Sequence, residues 1–269
     1  MKSNYRYIVK AFMAMAVIAG TTSCDDFLDR EPMSSISPET YYSTAAQLEA
    51  NLNDEYPNVL PSFGQWTYGI FGEDKGTDNQ IEVNANDRYT QDRWKVPHSE
   101  SDNWKFERIY RINFFLSEAL PKFGEDMSGS QNTISGSVAT IKHYIGEMYF
   151  LRAYEYFKKL QLFGDFPIID QPLADEMEAL REASKRFPRN EVARFIISDL
   201  DKAYAYMSDV DMATTRINKD AAMLVKSRVA LFEATWLQNF KGTAFVPGGE
   251  GWPGASLHNN YQYPSGNLD

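Results

Sequence analysis

The amino-acid sequence predicts an all-α fold. Five segments repeat apolar residues at helical spacing, and two of them carry a recognisable capping or stop signal. Only two short stretches, residues 81–83 and 166–169, have the composition of extended chain. Because strand patterns are so scarce, we expect helices to supply the whole core.

The first two predicted helices carry a capping signal and paired charges. Thr44 and Gln47 have the spacing of a capping box, and apolar residues follow at helical spacing as far as Val59. The second helix is predicted over residues 102–120 and has one apolar side. Two oppositely charged pairs, four residues apart, would support its exposed side: Glu107 with Arg111, and Glu118 with Lys122.

The third predicted helix, residues 137–163, is the longest, and it ends at Gly164 with Pro167 beyond it. Its apolar side chains cover too much of the circumference for one narrow stripe: Ile145, Tyr149, Phe150, Ala153, Tyr154, Tyr156, Phe157 and Leu160. A helix of this kind must pack on more than one side. Small residues such as Gly146 would let a neighbouring helix approach closely.

Two further helices are predicted over residues 190–207 and 218–239. Their starts lie near the tetratricopeptide spacing, but no clean repeat of ~34 residues is visible. The periodicity therefore leaves two architectures open, namely tetratricopeptide-like helical pairs and an irregular α-domain.

The N-terminus has the pattern of a lipoprotein export signal. Three basic residues precede or border the apolar residues 11–20, and small residues lead into Cys24, the only cysteine. As a helix this apolar run would extend only ~15 Å, too short for a ~30 Å hydrocarbon core. We expect cleavage before Cys24 and lipid attachment to it. Thr21 stands where a lipobox usually has Leu, and an ordinary secreted protein is the alternative.

Charge and cysteine content exclude several classes of protein. The formal charge is −10, with 37 acidic against 27 basic residues, so nucleic acid is not an expected partner. Electrostatic attraction to an anionic lipid surface is not expected either. Attachment to the membrane would therefore depend on the acyl chains alone. One cysteine allows neither an intrachain disulfide nor a cysteine-based zinc site.

No sequence motif marks an enzyme. The three histidines, His98, His143 and His258, are far apart, and no phosphate-binding or dinucleotide-binding fingerprint is present. We therefore expect no metal, no cofactor and no catalytic residues. A glycosidase-type carboxylate pair remains the alternative, with Asp74 and Asp78 as candidates.

The best candidate for ligand binding is the connection between the first two helices, residues 61–103. It is long for a connection in a compact domain and rich in both aromatic and polar residues. Flat rings stack on the apolar faces of sugars, while acid and amide groups bond hydroxyls. The proposed ligand contacts are Trp66, Tyr68, Asp78, Asn79 and Trp94. The alternative is that these rings pack the loop onto the helices.

Five segments together resemble one known family. CDDFLDREP (24–32) and residues 35–56 resemble the mature N-terminus of the SusD/RagB family of outer-membrane nutrient-binding lipoproteins. EMYFLRAYEYFKKLQLFGDFPII (147–169) is similar to the family's most recognisable segment, and 195–207 and 217–236 resemble its next two segments in order. The resemblance implies a tetratricopeptide-like helical body with a long irregular loop insertion and without catalysis.

The resemblance also implies partners and a location. A family member would bind a glycan or related nutrient and deliver it to a SusC-like TonB-dependent outer-membrane transporter. Cys24 would anchor it to the outer membrane, exposed at the cell surface. The alternatives are a surface glycoside hydrolase with a helical fold and a tetratricopeptide scaffold that binds no ligand.

These expectations define four regions of the chain. They are a lipoprotein signal peptide (1–23), a lipidated tether (24–37), a SusD-like helical domain (38–240) and the start of a loop-rich C-terminal region (241–269). Because family members are typically about twice as long, the C-terminal region is expected to be incomplete.

Overall fold

The computed structural model of the protein describes residues 41–61, 103–124, 126–208, 212, 215–258 and 261. Contacts divide the chain at Tyr41 into two units, and every described helix lies in the second, Tyr42–Asp269. Within the described ranges the regular structure is helical, with two isolated bridges in place of strands. The α-helices are α1 (Ala45–Val59), α2 (Glu107–Phe123), α3 (Val138–Phe163), α4 (Met177–Ala183), α5 (Arg189–Tyr206) and α6 (Lys219–Asn239). The predicted all-α class is confirmed.

The long helix α3 lies at the centre of the packing. It contacts α1, α2, α5 and α6, and α6 also packs against α5. Residues on all sides of α3 are buried, including Ile141, Met148, Leu151 and Tyr156. This confirms that α3 packs on more than one side, as its wide apolar surface predicted.

Close approach of α3 and α5 depends on a glycine. A Cβ atom built on Gly146 would lie 2.9 Å from the Ala203 carbonyl oxygen and 2.9 Å from the Met207 amide nitrogen. Those neighbours are backbone atoms and cannot rotate away. Gly146 therefore sets the distance between the two helices, in agreement with the role that its size predicted.

The predicted helix ends are largely confirmed. Thr44 caps α1 with the reciprocal Gln47 bond of a capping box, and Ser137 caps α3. Gly164 ends α3 with φ 67°, a region that favours glycine, and its N–H donates to the Leu160 carbonyl. Asn218 caps α6 through its side-chain oxygen.

Two elements differ from the predictions. Helix α2 begins at Glu107 rather than at 102, because the Trp104 and Phe106 rings leave the helical path to pack against Phe166. Helix α4 was not predicted. It has seven residues and none of them is buried, so the sequence offers no apolar periodicity to detect.

Arg111 also differs from its prediction. The sequence paired it with Glu107 on an exposed helix side, whereas in the structure it forms ion pairs with Asp54 and Glu55 of α1. The Glu118–Lys122 pair is present as predicted, at 3.6 Å. Arg111 therefore links α2 to α1 through ion pairs and does not pair with a neighbour on its own helix.

His143 is a buried structural residue of α3. Its Nδ1 accepts the Ser208 amide N–H at 3.2 Å, and its Nε2 lies 3.0 Å from both the Ile217 carbonyl and a Glu147 carboxylate oxygen. Glu147 in turn accepts two bonds from Arg216. Hydrogen bonding to the protein therefore accounts for both ring nitrogens.

Among the described residues, no helix is long and apolar enough to cross a membrane.

Candidate functional site

A cleft of about 510 Å³ opens where α3 ends. Its walls come from the turn after α3, the start of α5, the end of α6 and the segment that follows α6. The side chains that define its chemistry are Asp165, Arg186, Arg189, Trp236, Phe245 and Trp252. Four separate parts of the chain thus supply charged groups and aromatic rings to one concave surface.

Asp165 joins three of these parts. The turn at Gly164 directs Asp165 toward the cleft, where its Oδ1 accepts the Arg189 amide N–H at 2.9 Å. Its Oδ2 accepts the Trp252 indole N–H at 2.7 Å. Burial raises the pKa of Asp165, and the hydrogen bonds from Trp252 and Arg189 lower it in part. Both carboxylate oxygens are therefore engaged by the protein itself.

Arg189, at the start of α5, forms a buried ion pair with Glu233 of α6. The Arg189 guanidinium donates to both oxygens of Glu233, at 2.9 and 2.8 Å, and the Glu233 side chain is fully buried. Burial raises the pKa of Glu233, while Arg189 lowers it in part. The Arg189 Cζ lies 4.2 Å from the centre of the Trp236 ring. The guanidinium of this pair therefore packs against the Trp236 ring.

The segment after α6 is fastened across the cleft by side-chain hydrogen bonds. The Trp236 indole N–H donates to the Phe245 carbonyl at 3.2 Å, and the His258 Nε2 lies 2.9 Å from the Arg186 carbonyl. The Tyr261 hydroxyl donates to Glu191 at 2.7 Å. This wall is held at both of its ends, yet it leaves the Phe245 ring 62% exposed.

Arg186 lies at the rim of the cleft. Its Cζ is 4.6 Å from the centre of the Trp104 ring, which packs edge-on against Phe163 and Phe166. In the chain, Trp104 directly follows residues 61–103, the connection in which the sequence predicts ligand contacts. Trp104, the first residue after this connection, therefore packs beside the cleft.

This arrangement suits a polyhydroxylated ligand. Exposed and half-exposed rings offer flat apolar surface, and the arginine at the rim offers hydrogen-bond donors. In the part of the chain that the structure describes, no group of three or more His, Cys, Asp or Glu residues could hold a metal ion.

Two smaller cavities differ from the cleft in character. One, of about 350 Å³, is lined mostly by charged residues, among them Glu155 and Lys159. The other, of about 320 Å³, is an apolar groove between α2 and α4 that includes Tyr110 and Leu180. Neither combines aromatic rings with hydrogen-bonding groups to the extent that the cleft does.

The sequence and the structure draw attention to different residues. Cys24 and the predicted ligand contacts Trp66, Tyr68, Asp78, Asn79 and Trp94 lie outside the described residues. The cleft residues were not predicted, although the sequence indicated the turn at Gly164 and a loop-rich region from residue 241. Their meeting depends on contacts such as Asp165–Trp252, whose partners are 87 positions apart.

Comparison with known proteins identifies relatives along most of the chain. A SusD-like family, described as "Starch-binding associating with outer membrane", matches residues 26–231. SusD-like protein P2 of Formosa agariphila is 25% identical over 253 residues, which cover 90% of this chain and 46% of that protein. SusD-like protein P25 of the same organism is 25% identical over 80% of this chain and 41% of its own length. The chain thus spans somewhat less than half of the curated relatives it matches.

A solved structure shares the fold. A SusD-like protein of Bacteroides fragilis is 22% identical, with a TM-score of 0.54 over 79% of this chain and 39% of that one. At this identity the likeness concerns the fold alone, and it agrees with the predicted helical body. Because the family match extends over well more than half of the sequence, this chain belongs to the SusD-like family.

Proposed function

We propose that this protein is a lipid-anchored, surface-exposed protein of the outer membrane that binds a glycan and delivers it to a SusC-like TonB-dependent transporter. The observation that carries the proposal is the cleft, where the exposed Phe245 ring and the Trp236 ring lie beside hydrogen-bonding groups. Membership of a family described as starch-binding and associated with the outer membrane supports both the ligand class and the location.

The connection before Trp104 is proposed to complete the site. Trp66, Tyr68, Asp78, Asn79 and Trp94 belong to it, and in the chain it immediately precedes the ring beneath Arg186. A sugar chain bound in the cleft would then meet rings from both regions. The glycan affinity of Trp66→Ala and Trp94→Ala variants should therefore be measured alongside that of the cleft variants.

The proposal includes binding without catalysis. Hydrolysis by a glycosidase needs one carboxyl group to donate a proton and a second to act as base or nucleophile. In the cleft, Glu233 is fully buried against Arg189, and both Asp165 oxygens accept hydrogen bonds from the protein. Asp74 and Asp78, the carboxylate pair that the sequence offers, lie outside the described residues. We expect no release of reducing sugar from any glycan that the protein retains. Turnover of a retained glycan would favour the glycoside hydrolase alternative.

Phe245→Ala is expected to weaken glycan binding about five- to thirtyfold. The estimate corresponds to about 1–2 kcal/mol, from ~25 cal/mol per Å² of apolar area that a stacked ring covers. Because Phe245 is 62% exposed, the melting temperature should change little. Isothermal titration of the full chain with a glycan selected from an array measures the effect.

Tyr204→Ala is the matched control for this experiment. Tyr204 is also an exposed aromatic residue, at 44%, but it lies on α5 and does not line the cleft. Its loss should leave affinity unchanged. Normal affinity in the Phe245 variant, or an equal loss in both variants, would contradict a role for the cleft.

Cys24→Ser is expected to release the protein from the membrane. Cys24 is the only cysteine, so no other thiol can carry the acyl chains. Membrane fractionation and palmitate labelling measure the result, and Ser23→Ala, next to the proposed cleavage position, is the control. A Cys24→Ser variant that still labels and still sediments with membranes would refute the lipobox.

A further inference from the structure

We infer that the cleft selects glycans that carry a negative charge, as a uronate carboxylate or a sulfate ester, and that Arg186 recognises this charge. The inference rests on the proposed function and specifies the class of ligand. It starts from the three charged side chains named above in the cleft, Asp165, Arg186 and Arg189. In the described part of the chain, Arg186 is the one of the three whose side chain forms no ion pair and no hydrogen bond.

The other charges of the cleft are committed to the protein. Arg189 is paired in bidentate fashion with the buried Glu233. Asp165 accepts one bond from the Arg189 backbone and one from Trp252. The Arg189 charge is therefore balanced by Glu233, and both Asp165 oxygens accept hydrogen bonds from the protein. Burial raises the pKa of Asp165, while the nearby Arg186 charge helps to lower it.

Arg186 is different. Its side chain is exposed at the rim, and within the described residues it forms no ion pair and its guanidinium makes no hydrogen bond. The guanidinium instead lies over the Trp104 ring, 4.6 Å from its centre, and the Arg186 carbonyl is bonded to His258. Backbone and side chain are thus both positioned, while no described residue accepts a hydrogen bond from the guanidinium N–H groups.

A guanidinium held in this way is suited to an oxyanion. Its planar fork matches carboxylate or sulfate geometry with two parallel hydrogen bonds, and these charged bonds are stronger than bonds to a neutral hydroxyl. Stacking on Trp104 lowers the entropy lost on binding, because the side chain is already ordered. The overall charge of −10 repels anions, so a preference for acidic glycans has to come from a local site.

The test compares three ligands of matched length on the full chain. They are an oligogalacturonate, its carboxyl-reduced neutral counterpart and a sulfated galactan oligosaccharide. We expect one or both acidic ligands to bind about tenfold or more tightly than the neutral one, with a preference that weakens as salt is added. The two acidic ligands distinguish carboxylate from sulfate recognition.

Arg186→Gln should remove the preference, and Arg186→Lys should retain part of it. Arg228→Gln is the matched control, because Arg228 is an exposed arginine of α6 that lies outside the cleft and its substitution removes the same charge. Equal affinity for acidic and neutral ligands, or a preference that survives Arg186→Gln, would overturn the inference while leaving the proposed function intact. Failure to bind any glycan on a broad array would overturn both.

Discussion

Asp199→Ala is expected to lower the free energy of unfolding by about 3–5 kcal/mol. Asp199 is fully buried, and its carboxylate accepts two bonds from Arg152, at 2.6 and 2.8 Å, across the contact between α3 and α5. Without it, the buried Arg152 guanidinium keeps its bonds to Asn113 and to the Asp170 carbonyl but loses its counter-charge. An uncompensated charge in the core accounts for the size of the loss.

Denaturation with urea, followed by circular dichroism, measures this change. Asp201→Ala is the control, since Asp201 lies two residues away on the same helix, is 55% exposed and pairs with Lys226 at the surface. An exposed ion pair of this kind contributes about 0–1 kcal/mol. Similar small losses in both variants would show that Arg152 and Asp199 are not packed together in the core.

Leu151→Ala is expected to cost about 2–5 kcal/mol, the usual range for removing a buried leucine side chain and leaving a cavity. Leu151 has no exposed surface and lies midway along α3, the helix that contacts α1, α2, α5 and α6. The cavity would open where several helices meet, and closing it would require those helices to move. The midpoint of urea unfolding reports the loss.

Leu162→Ala provides the comparison within the same helix. Leu162 is 58% exposed near the end of α3, so its truncation should change stability by less than about 0.5 kcal/mol. If both leucine variants unfold at the same midpoint, α3 is not the central helix of the fold.

The sequence alone determined five of the six described α-helices and most of their ends. Thr44, Ser137, Gly164 and Asn218 all lie where the structure begins or ends a helix. These signals are readable because each depends on residues within about one turn of one another. The wide apolar surface of α3 also predicted its central position, since periodicity reports how much of a helix is covered.

The sequence also carried enough local similarity, in several ordered segments, to indicate the family, which the match over residues 26–231 then showed. It indicated less about the site. Cys24 and the five predicted ligand contacts remain predictions, whereas the cleft residues were not foreseen. A composition rich in aromatic and polar residues indicates that a segment could bind a ligand. It does not indicate which other parts of the chain lie beside that segment after folding.

Tertiary structure alone decided which charges are buried and which face the cleft. Four arginines illustrate this. Arg111 and Arg152 form ion pairs that join helices, Arg189 is neutralised by Glu233, and Arg186 remains exposed at the cleft. The partner of each depends on contacts such as Arg189–Glu233, 44 positions apart, which no local pattern encodes. Burial and pairing of a charge are set by the side chains that folding brings around it, so the same residue type becomes a core ion pair at one position and a candidate ligand contact at another.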